Sequence, residues 1–172
     1  MRRFTLLVAV LGLVALATAS IAIADSGKTV HTRGDEVLRP NQGVRSDLRF
    51  SPGQVRISSG DTITWTHSDK TDAPHTVTIA TENQLVQTFS DFVLGTCPDC
   101  DAAIGAALGG HFPGGPPVLE LDDGDGEFDD PGDSVLFFPG QSFAKQINSP
   151  SGTTLFYFCA LHPWMQGSIS VT

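Results

Sequence analysis

Four side chains with metal-binding chemistry lie in two short segments of the chain. Cys159, His162 and Met165 fall within seven positions near the C-terminus, and His75 follows Pro74 far upstream. A thiolate, two imidazoles and a weak thioether form the donor set that suits a copper ion cycling between Cu(I) and Cu(II). We therefore expect a mononuclear copper site, with electron transfer as the leading function.

The backbone that carries these donors is predicted to be β-strand. Val77 and Ile79 follow His75 at alternate positions, so the histidine stands at the end of a core-facing row. A strand that ends at Cys159, followed by a tight loop, brings the other three donors together at one hairpin end. Pro163 stiffens that loop, because it fixes its own φ and biases the preceding residue toward extended backbone.

The rest of the pattern is that of short strands separated by glycine and proline turns. Apolar residues alternate with polar ones on both sides of the Gly60-Asp61 turn, and further apolar segments occur near the C-terminus. The predicted strands cover residues 55–57, 63–65, 75–79, 135–138, 142–147, 154–159 and 168–171. Several short strands of this kind predict an all-β sandwich or barrel.

Three segments resemble one known family. Residues 60–65 (Gly-Asp-Thr-Ile-Thr-Trp), residues 74–78 (Pro-His-Thr-Val-Thr) and the Cys-x2-His-x2-Met spacing of residues 159–165 are similar to the cupredoxins, the type 1 blue copper proteins that include plastocyanin and amicyanin. The resemblance covers about residues 48–80 and 134–172. It implies a Greek-key β-sandwich or barrel.

The resemblance also implies a role for each donor. His75, Cys159 and His162 would be the strong ligands of one type 1 copper ion, and Met165 would be its weak axial ligand. Copper is therefore the expected cofactor.

The same resemblance implies where redox partners dock. The loop histidine of this family is usually the ligand at the solvent edge, which places Pro163 and Trp164 in a partner-docking patch. We expect a monomer whose partners are redox proteins such as a cytochrome or a terminal reductase or oxidase.

The long separation between His75 and Cys159, 84 positions, departs from the pattern of small cupredoxins. An insertion is therefore expected over about residues 81–133. Its first part is predicted to be helical, because residues 81–84 resemble a capping box and apolar residues recur near helical spacing. Asp101 is expected to cap a second short helix that ends at Gly109-Gly110.

Two cysteines of the insertion remain after Cys159 is assigned to copper. Cys97 and Cys100 are expected to form a local disulfide, the usual outcome outside the cytoplasm. A thiol redox motif and a metal site completed by His111 are the alternatives.

An acidic run at residues 122–130 resembles the Asp-x-Asp-Gly core of calcium-binding loops. Closely spaced carboxylates on a glycine-bent backbone suit Ca²⁺, and Asp123, Asp125 and Asp129 are the candidate ligands. Aligned with an EF-hand on Gly126, however, the run has Leu121 where the first Asp should be. A solvated acidic loop is the favoured interpretation.

The N-terminus is typical of a secretory signal peptide. Arg2 and Arg3 precede an unbroken apolar run at residues 6–17, and small residues follow before Asp25. Residues 1–24 are therefore the predicted signal peptide, and residues 25–172 form one domain in the periplasm or outside the cell, with no transmembrane segment after cleavage. An uncleaved N-terminal anchor and twin-arginine export are the alternatives.

Composition and missing motifs exclude several functional classes. The chain has 10 basic and 19 acidic residues, a formal net charge of −9, which argues against nucleic acid and anionic membrane as partners. It lacks the His-x-His pairs of multicopper oxidases and a Gly-x-Ser-x-Gly motif, so no enzymatic activity is expected. His31 and His67 have no companions that suggest a role, and surface positions are expected for both.

These observations predict an exported one-electron carrier between redox partners. The alternative is a module that carries or buffers copper without electron transfer, although methionine-rich and histidine-rich tracts typical of such carriers are absent. A metal-free adhesion module on the same scaffold is disfavoured by the complete donor set.

Overall fold

Two β-sheets pack face to face in the part of the chain that the computed structural model describes, residues 27–122 and 124–172. The strands are β1 Lys28–Arg33, β2 Glu36–Arg39, β3 Gly43–Ser46, β4 Arg49–Ser51, β5 Gln54–Ile57, β6 Thr62–Thr66, β7 His75–Ala80, β8 Glu120–Leu121, β9 Ser134–Phe137, β10 Ser142–Gln146, β11 Thr154–Cys159 and β12 His162–Val171. The helices are a short 3₁₀ helix at Glu82–Gln84, α1 at Phe89–Leu94 and α2 at Pro98–His111.

The first sheet has the strand order β10-β6-β1-β4 and the second has the order β5-β12-β11-β7-β9-β8. Strands β2 and β3 form a separate hairpin. Both large sheets are mixed, because β1 pairs in parallel with β6 and β5 pairs in parallel with β12. The predicted all-β sandwich is therefore confirmed.

The core between the sheets follows from the alternation seen in the sequence. Ile63 and Trp65 of the first sheet and Val77 and Tyr157 of the second are all fully buried in one apolar cluster. Trp65 packs edge-on against Tyr157, with ring centroids 5.8 Å apart. Burial of these large side chains supplies most of the driving force for the sandwich.

Every strand predicted from the sequence is present, and the bounds differ by a few residues. Only β12 is much longer than predicted, because it begins at His162 instead of residue 168. Strands β1 to β4 were not individually predicted, and the two-residue β8 lies inside the expected insertion. The exposed side chains of the β2–β3 hairpin give no alternation from which to predict strands.

All helices of the described part of the chain lie between β7 and β9, where the insertion was expected. Helix α2 packs on the outer face of the second sheet, and Ala107 joins Ala80 and Phe158 in a second apolar cluster. This cover explains why all six residues of β7 are buried, whereas a strand with one solvated face would alternate.

The predicted helix starts need correction. The capping box at residues 81–84 exists, but it caps the 3₁₀ helix, and α1 is capped separately by Thr88. Helix α2 starts four residues earlier than predicted, with Cys97 instead of Asp101 as N-cap and a proline at its first position. It also continues through Gly109-Gly110 to His111. Asp101 lies in the first turn of α2, where its negative charge interacts favourably with the helix dipole, but it is not the N-cap residue.

The predicted signal peptide, residues 1–24, lies outside the described residues. The division into a signal peptide and a single domain therefore stays a prediction. Across residues 27–122 and 124–172, no helix combines the length and the hydrophobicity needed to cross a bilayer.

Candidate metal centre

Three neighbouring strands bring the predicted strong donors to one end of the second sheet. His75 is the first residue of β7, Cys159 is the last of β11, and His162 is the first of β12. Because β11 runs antiparallel to both neighbours, these three ends coincide. The Sγ atom of Cys159 lies 3.7 Å from Nδ1 of His75 and 3.6 Å from Nδ1 of His162.

A break in strand pairing shapes the loop between Cys159 and Met165. Phe158 pairs with Gln166, but the next residue, Cys159, pairs with His162, so the three residues from 163 to 165 have no partner opposite them. Such a bulge re-aims side chains next to a functional site. It leaves the loop tight, as the sequence predicted.

The donor spacing fits a metal ion. Bonds of about 2.0–2.3 Å to imidazole nitrogen and thiolate sulfur, at angles between tetrahedral and trigonal, separate the two donor atoms by about 3.6–3.8 Å. The two observed S···N distances, 3.7 Å and 3.6 Å, lie in this range. All three donor atoms lie within 4.8 Å of one another. A soft thiolate with two imidazoles selects a copper-type ion over hard cations.

Burial distinguishes the four predicted ligands. The side chains of His75, Cys159 and Met165 are fully buried, and Met165 belongs to the same apolar cluster as Cys159. His162 is 7% exposed, which makes it the most accessible of the four. The centroid of its ring lies 5.5 Å from the centroid of the Trp164 ring, and Trp164 is 40% exposed. His162 therefore stands at the solvent edge.

Comparison with known proteins agrees with this geometry. Residues 39–172 match the family model of copper binding proteins of the plastocyanin/azurin family. This chain belongs to that family. It is a cupredoxin, and cupredoxins bind copper.

Several solved structures resemble this chain at low sequence identity. A purple cupredoxin from Nitrosopumilus maritimus is 18% identical and has a TM-score of 0.44, with 84% of this chain and 99% of that chain covered. An auracyanin from Roseiflexus castenholzii is 15% identical, with a TM-score of 0.45 and coverage of 84% and 97%. Plastocyanin from Dryopteris crassirhizoma is 17% identical, with a TM-score of 0.40 and coverage of 84% and 99%. No curated protein sequence matches this chain.

A buried carboxylate that the sequence did not reveal orients His75 in this cupredoxin. Because Nδ1 of His75 faces the thiolate, its Nε2–H donates to Oδ2 of Asp69 at 2.7 Å. The Asp69 side chain is fully buried and also accepts from the amide and hydroxyl of Thr71. A carboxylate behind a ligating imidazole fixes its tautomer and raises its basicity.

The expected surface position of His67 is wrong. His67 is buried, its ring lies 4.8 Å from that of His75, and its Nε2–H donates to the carbonyl of Ala73 at 2.9 Å. It packs behind the metal centre and fills space between His75 and Phe137. The signal that could have found it is the alternation of Ile63 and Trp65 in β6, which His67 continues directly after the end of that strand.

The electrostatics of the site keep its imidazoles neutral. Burial lowers the pKa of His75 to about 4, outweighing the Asp69 carboxylate, which raises it. Burial also lowers the pKa of His162. Burial raises the pKa of the Cys159 thiol, against which hydrogen bonds from nearby amides act. Metal binding at neutral pH therefore needs no proton loss from the histidines but does release the thiol proton.

Burial first raises the pKa of Asp69, but hydrogen bonds from Thr32 and Thr71, together with His75, bring it down to about 2. The carboxylate is thus charged at neutral pH. An Asp69→Asn variant keeps an acceptor oxygen for His75 but loses this charge. We expect its Cu(II) affinity to fall by about 10- to 100-fold, the usual effect of losing a partner behind a ligand.

A competition titration against a chelator at pH 7 measures this affinity. The matched control is Asp72→Asn, which makes the same charge change three positions away on an exposed residue. Equal affinities for the two variants would show that Asp69 does not act on the metal centre.

Cys97 and Cys100 form the predicted disulfide, so Cys159 is the free thiol of the chain. His111 does not join them around a metal, because its ring nitrogens contact Val118 and Ser134.

The calcium prediction gains no support. Asp123 lies outside the described residues, and carboxylate oxygens of Asp125, Asp129 and Asp130 lie within 4.8 Å of one another. Asp125 accepts from the amide of Glu127 and Asp129 from the hydroxyl of Ser149, so both already have partners within the loop and its neighbours.

Proposed function

We propose that this cupredoxin is an exported type 1 copper protein that carries single electrons between redox partners and is not itself an enzyme. The copper would be held by His75, Cys159, His162 and Met165, and when bound it supplies a one-electron Cu(II)/Cu(I) couple. The observation that carries the proposal is the convergence of one thiolate and two imidazoles, with donor atoms close enough for one metal ion to bind all three, in a buried, strand-anchored cluster.

The anchoring of the ligands supports electron transfer over metal delivery. His75 and Cys159 stand on paired strands, His75 is held by Asp69, and the amide of Thr76 donates to Sγ of Cys159 at 3.4 Å. Ligands held this firmly move little when the ion changes charge, which keeps the barrier to electron transfer low. A copper carrier needs the opposite, a site that opens to release its ion.

An apolar patch beside His162 supports docking of a partner at this edge. The patch consists of Val44, Phe89, Phe92 and Trp164, and these side chains line a cleft of about 460 Å³. Phe89 is 78% exposed, and Phe92 packs edge-on against Trp164 at 5.3 Å. Large exposed aromatic side chains clustered in this way are typical of an interaction site. Helix α1 thus adds to the docking surface predicted from Trp164.

The partner chemistry follows from charge. The chain carries a net charge of −9, so a basic redox protein such as a cytochrome is attracted to it, and a terminal reductase or oxidase with a basic docking face fits the same requirement. We further propose that the protein acts as a monomer in the periplasm or outside the cell, including the cell surface.

Stopped-flow mixing of the reduced copper-loaded protein with an oxidised basic c-type cytochrome tests the proposal. We expect rapid transfer that slows as salt is added, because screening weakens the charge attraction. A Trp164→Asp variant should slow transfer by about tenfold or more, since it removes a central aromatic contact.

The charge-matched control is Ser151→Asp, which lies in the exposed turn before β11, at the opposite end of that strand from Cys159. Transfer that is equally slow in both variants would locate docking elsewhere. A rate independent of salt would argue against a basic partner.

A further inference from the structure

A row of buried side-chain hydrogen bonds leads from helix α2 to the metal centre. Nε2 of His111, the last residue of α2, lies 2.7 Å from Oγ of Ser134, which lies 2.7 Å from Oγ1 of Thr78. Thr78 lies 3.0 Å from Oγ1 of Thr76, whose hydroxyl oxygen accepts from the amide of Ala160 at 2.7 Å. The four polar side chains of this row are each no more than 1% exposed.

Every hydroxyl in the row donates its hydrogen bond toward His111, as the donor and acceptor capacity of each group requires. Nδ1 of His111 lies 2.6 Å from the carbonyl of Val118, which can only accept, so Nδ1 carries the proton. In the neutral ring Nε2 must then accept, and the Ser134 hydroxyl donates to it. The hydroxyl of Thr78 therefore donates to Ser134, and that of Thr76 donates to Thr78. Burial lowers the pKa of His111, which agrees with a neutral ring.

At the end away from His111, the row contacts the peptide groups next to Cys159. Thr76 follows His75, and Ala160 follows Cys159. The hydroxyl of Thr76 accepts from the Ala160 amide, while the Thr76 amide donates to Sγ of Cys159 at 3.4 Å. The position of Thr76 therefore fixes both the backbone after the cysteine and the hydrogen bond to its sulfur.

A polar row at this place needs an explanation beyond packing. A sheet face that packs on a helix is stabilised by apolar side chains, because each buried hydroxyl must find partners to offset its desolvation. Here Thr76, Thr78 and Ser134 face α2, beside an apolar cluster that could have continued in their place. A satisfied buried network of this kind rigidifies the groups at its ends.

We infer that His111 is a positioning residue of the copper site, acting through Ser134, Thr78 and Thr76 to hold the amide that donates to Cys159 and thereby to set the reduction potential. The inference rests on the proposed function for its redox consequence, because hydrogen bonds to a metal-bound sulfur tune its potential. An N–H donated to the thiolate favours the reduced state, in which the sulfur is more negative. Loosening this donor should therefore lower the potential.

Two substitutions of His111 separate positioning from simple packing. His111→Gln can place an amide oxygen near the former Nε2 and keep an acceptor for Ser134. His111→Asn is shorter and places its amide near the former Nδ1, which keeps the contact with Val118 but leaves Ser134 without its acceptor. Thr78→Val removes the hydroxyl that links Thr76 to Ser134 and keeps nearly the same side-chain volume. It serves as a second way to interrupt the row if the Asn variant fails to fold.

The expected result is a lowered reduction potential and a shifted thiolate-to-copper band in His111→Asn and Thr78→Val, with values near wild type in His111→Gln. In the metal-free protein, the Thr76 and Ala160 amide protons should exchange with solvent about tenfold faster in His111→Asn and Thr78→Val. This is the change in exchange rate expected when one hydrogen bond is weakened. This exchange experiment does not depend on copper, so it tests the row even if the proposed function fails.

Three results would overturn the inference. One is an unchanged potential and unchanged amide exchange in Thr78→Val. Another is the same shift for the Gln and Asn variants, which would show that the Ser134 contact is not what matters. The third is a loss of stability in His111→Asn without any change at the thiolate, which would make His111 a packing residue of α2.

Discussion

A Cys159→Ser variant will take up copper weakly and show no intense visible absorption. The strong colour of such a centre arises from charge transfer between thiolate and Cu(II), and a serine hydroxyl is neither soft nor ionised at neutral pH. Serine is close in size to cysteine, so the buried position will be filled and the fold retained. The visible spectrum of the Cu(II)-loaded variant, compared with wild type, measures the effect.

The matched control is Met165→Leu, which removes the weak axial donor and keeps the thiolate. This variant should stay coloured with a shifted band, because the charge transfer requires Cys159 and not Met165. Cys97 and Cys100 are tied in a disulfide and cannot substitute for the missing thiol. Intense colour in the Cys159→Ser variant would mean that the sulfur ligand has been assigned wrongly.

The largest effect on stability is expected at Gly167 of β12. A Cβ atom built there would lie 2.3 Å from Cζ and 2.4 Å from the hydroxyl oxygen of Tyr157, the residue opposite it on β11. The Tyr157 ring cannot yield, because it is fully buried and packs against Phe50 and Trp65. Gly167→Ala should therefore destabilise the metal-free protein by about 3 kcal/mol, the cost of overpacking a core.

Chemical denaturation of the metal-free protein measures this change. Gly105→Ala is the control, because a Cβ there would meet no atom within 4 Å beyond the backbone of its own helix, and alanine favours the helical backbone of α2. It should stabilise the protein by about 0.5–1 kcal/mol. In a Tyr157→Leu background the penalty at Gly167 should shrink. A harmless Gly167→Ala in the wild-type protein would contradict the strand pairing and the position of the Tyr157 ring.

Much of the sandwich could be predicted from the sequence because the core strands carry a period of two. Residues 75–79 show it in their residue types, whereas residues 154–159 form a nearly continuous apolar run, which is typical of a strand buried on both faces. These are the strands that hold His75 and Cys159. The convergence of the ligands was predictable for the same reason, since adjacent strand ends share one edge of a sheet. The limits of α2 were not, because its start depends on the disulfide-bonded Cys97 as N-cap.

The groups around the ligands could not be predicted, because they depend on pairing between distant segments. Asp69 lies in a loop with no pattern, and only the folded chain places it 2.7 Å from His75. Likewise, Thr78 meets Ser134 because β7 and β9 pair in that register. His67 shows a different limit, since its polar character favoured a surface position and its strand phase favoured the core.

Cyclic voltammetry of the purified copper-loaded protein, with copper content measured before and after cycling, tests the electron-carrier account most directly. A site with firmly anchored ligands predicts one reversible one-electron wave that persists over many cycles, with the copper retained in the presence of a chelator in both oxidation states. Loss of the ion on reduction, or an irreversible wave, would contradict the account and favour a protein that delivers copper.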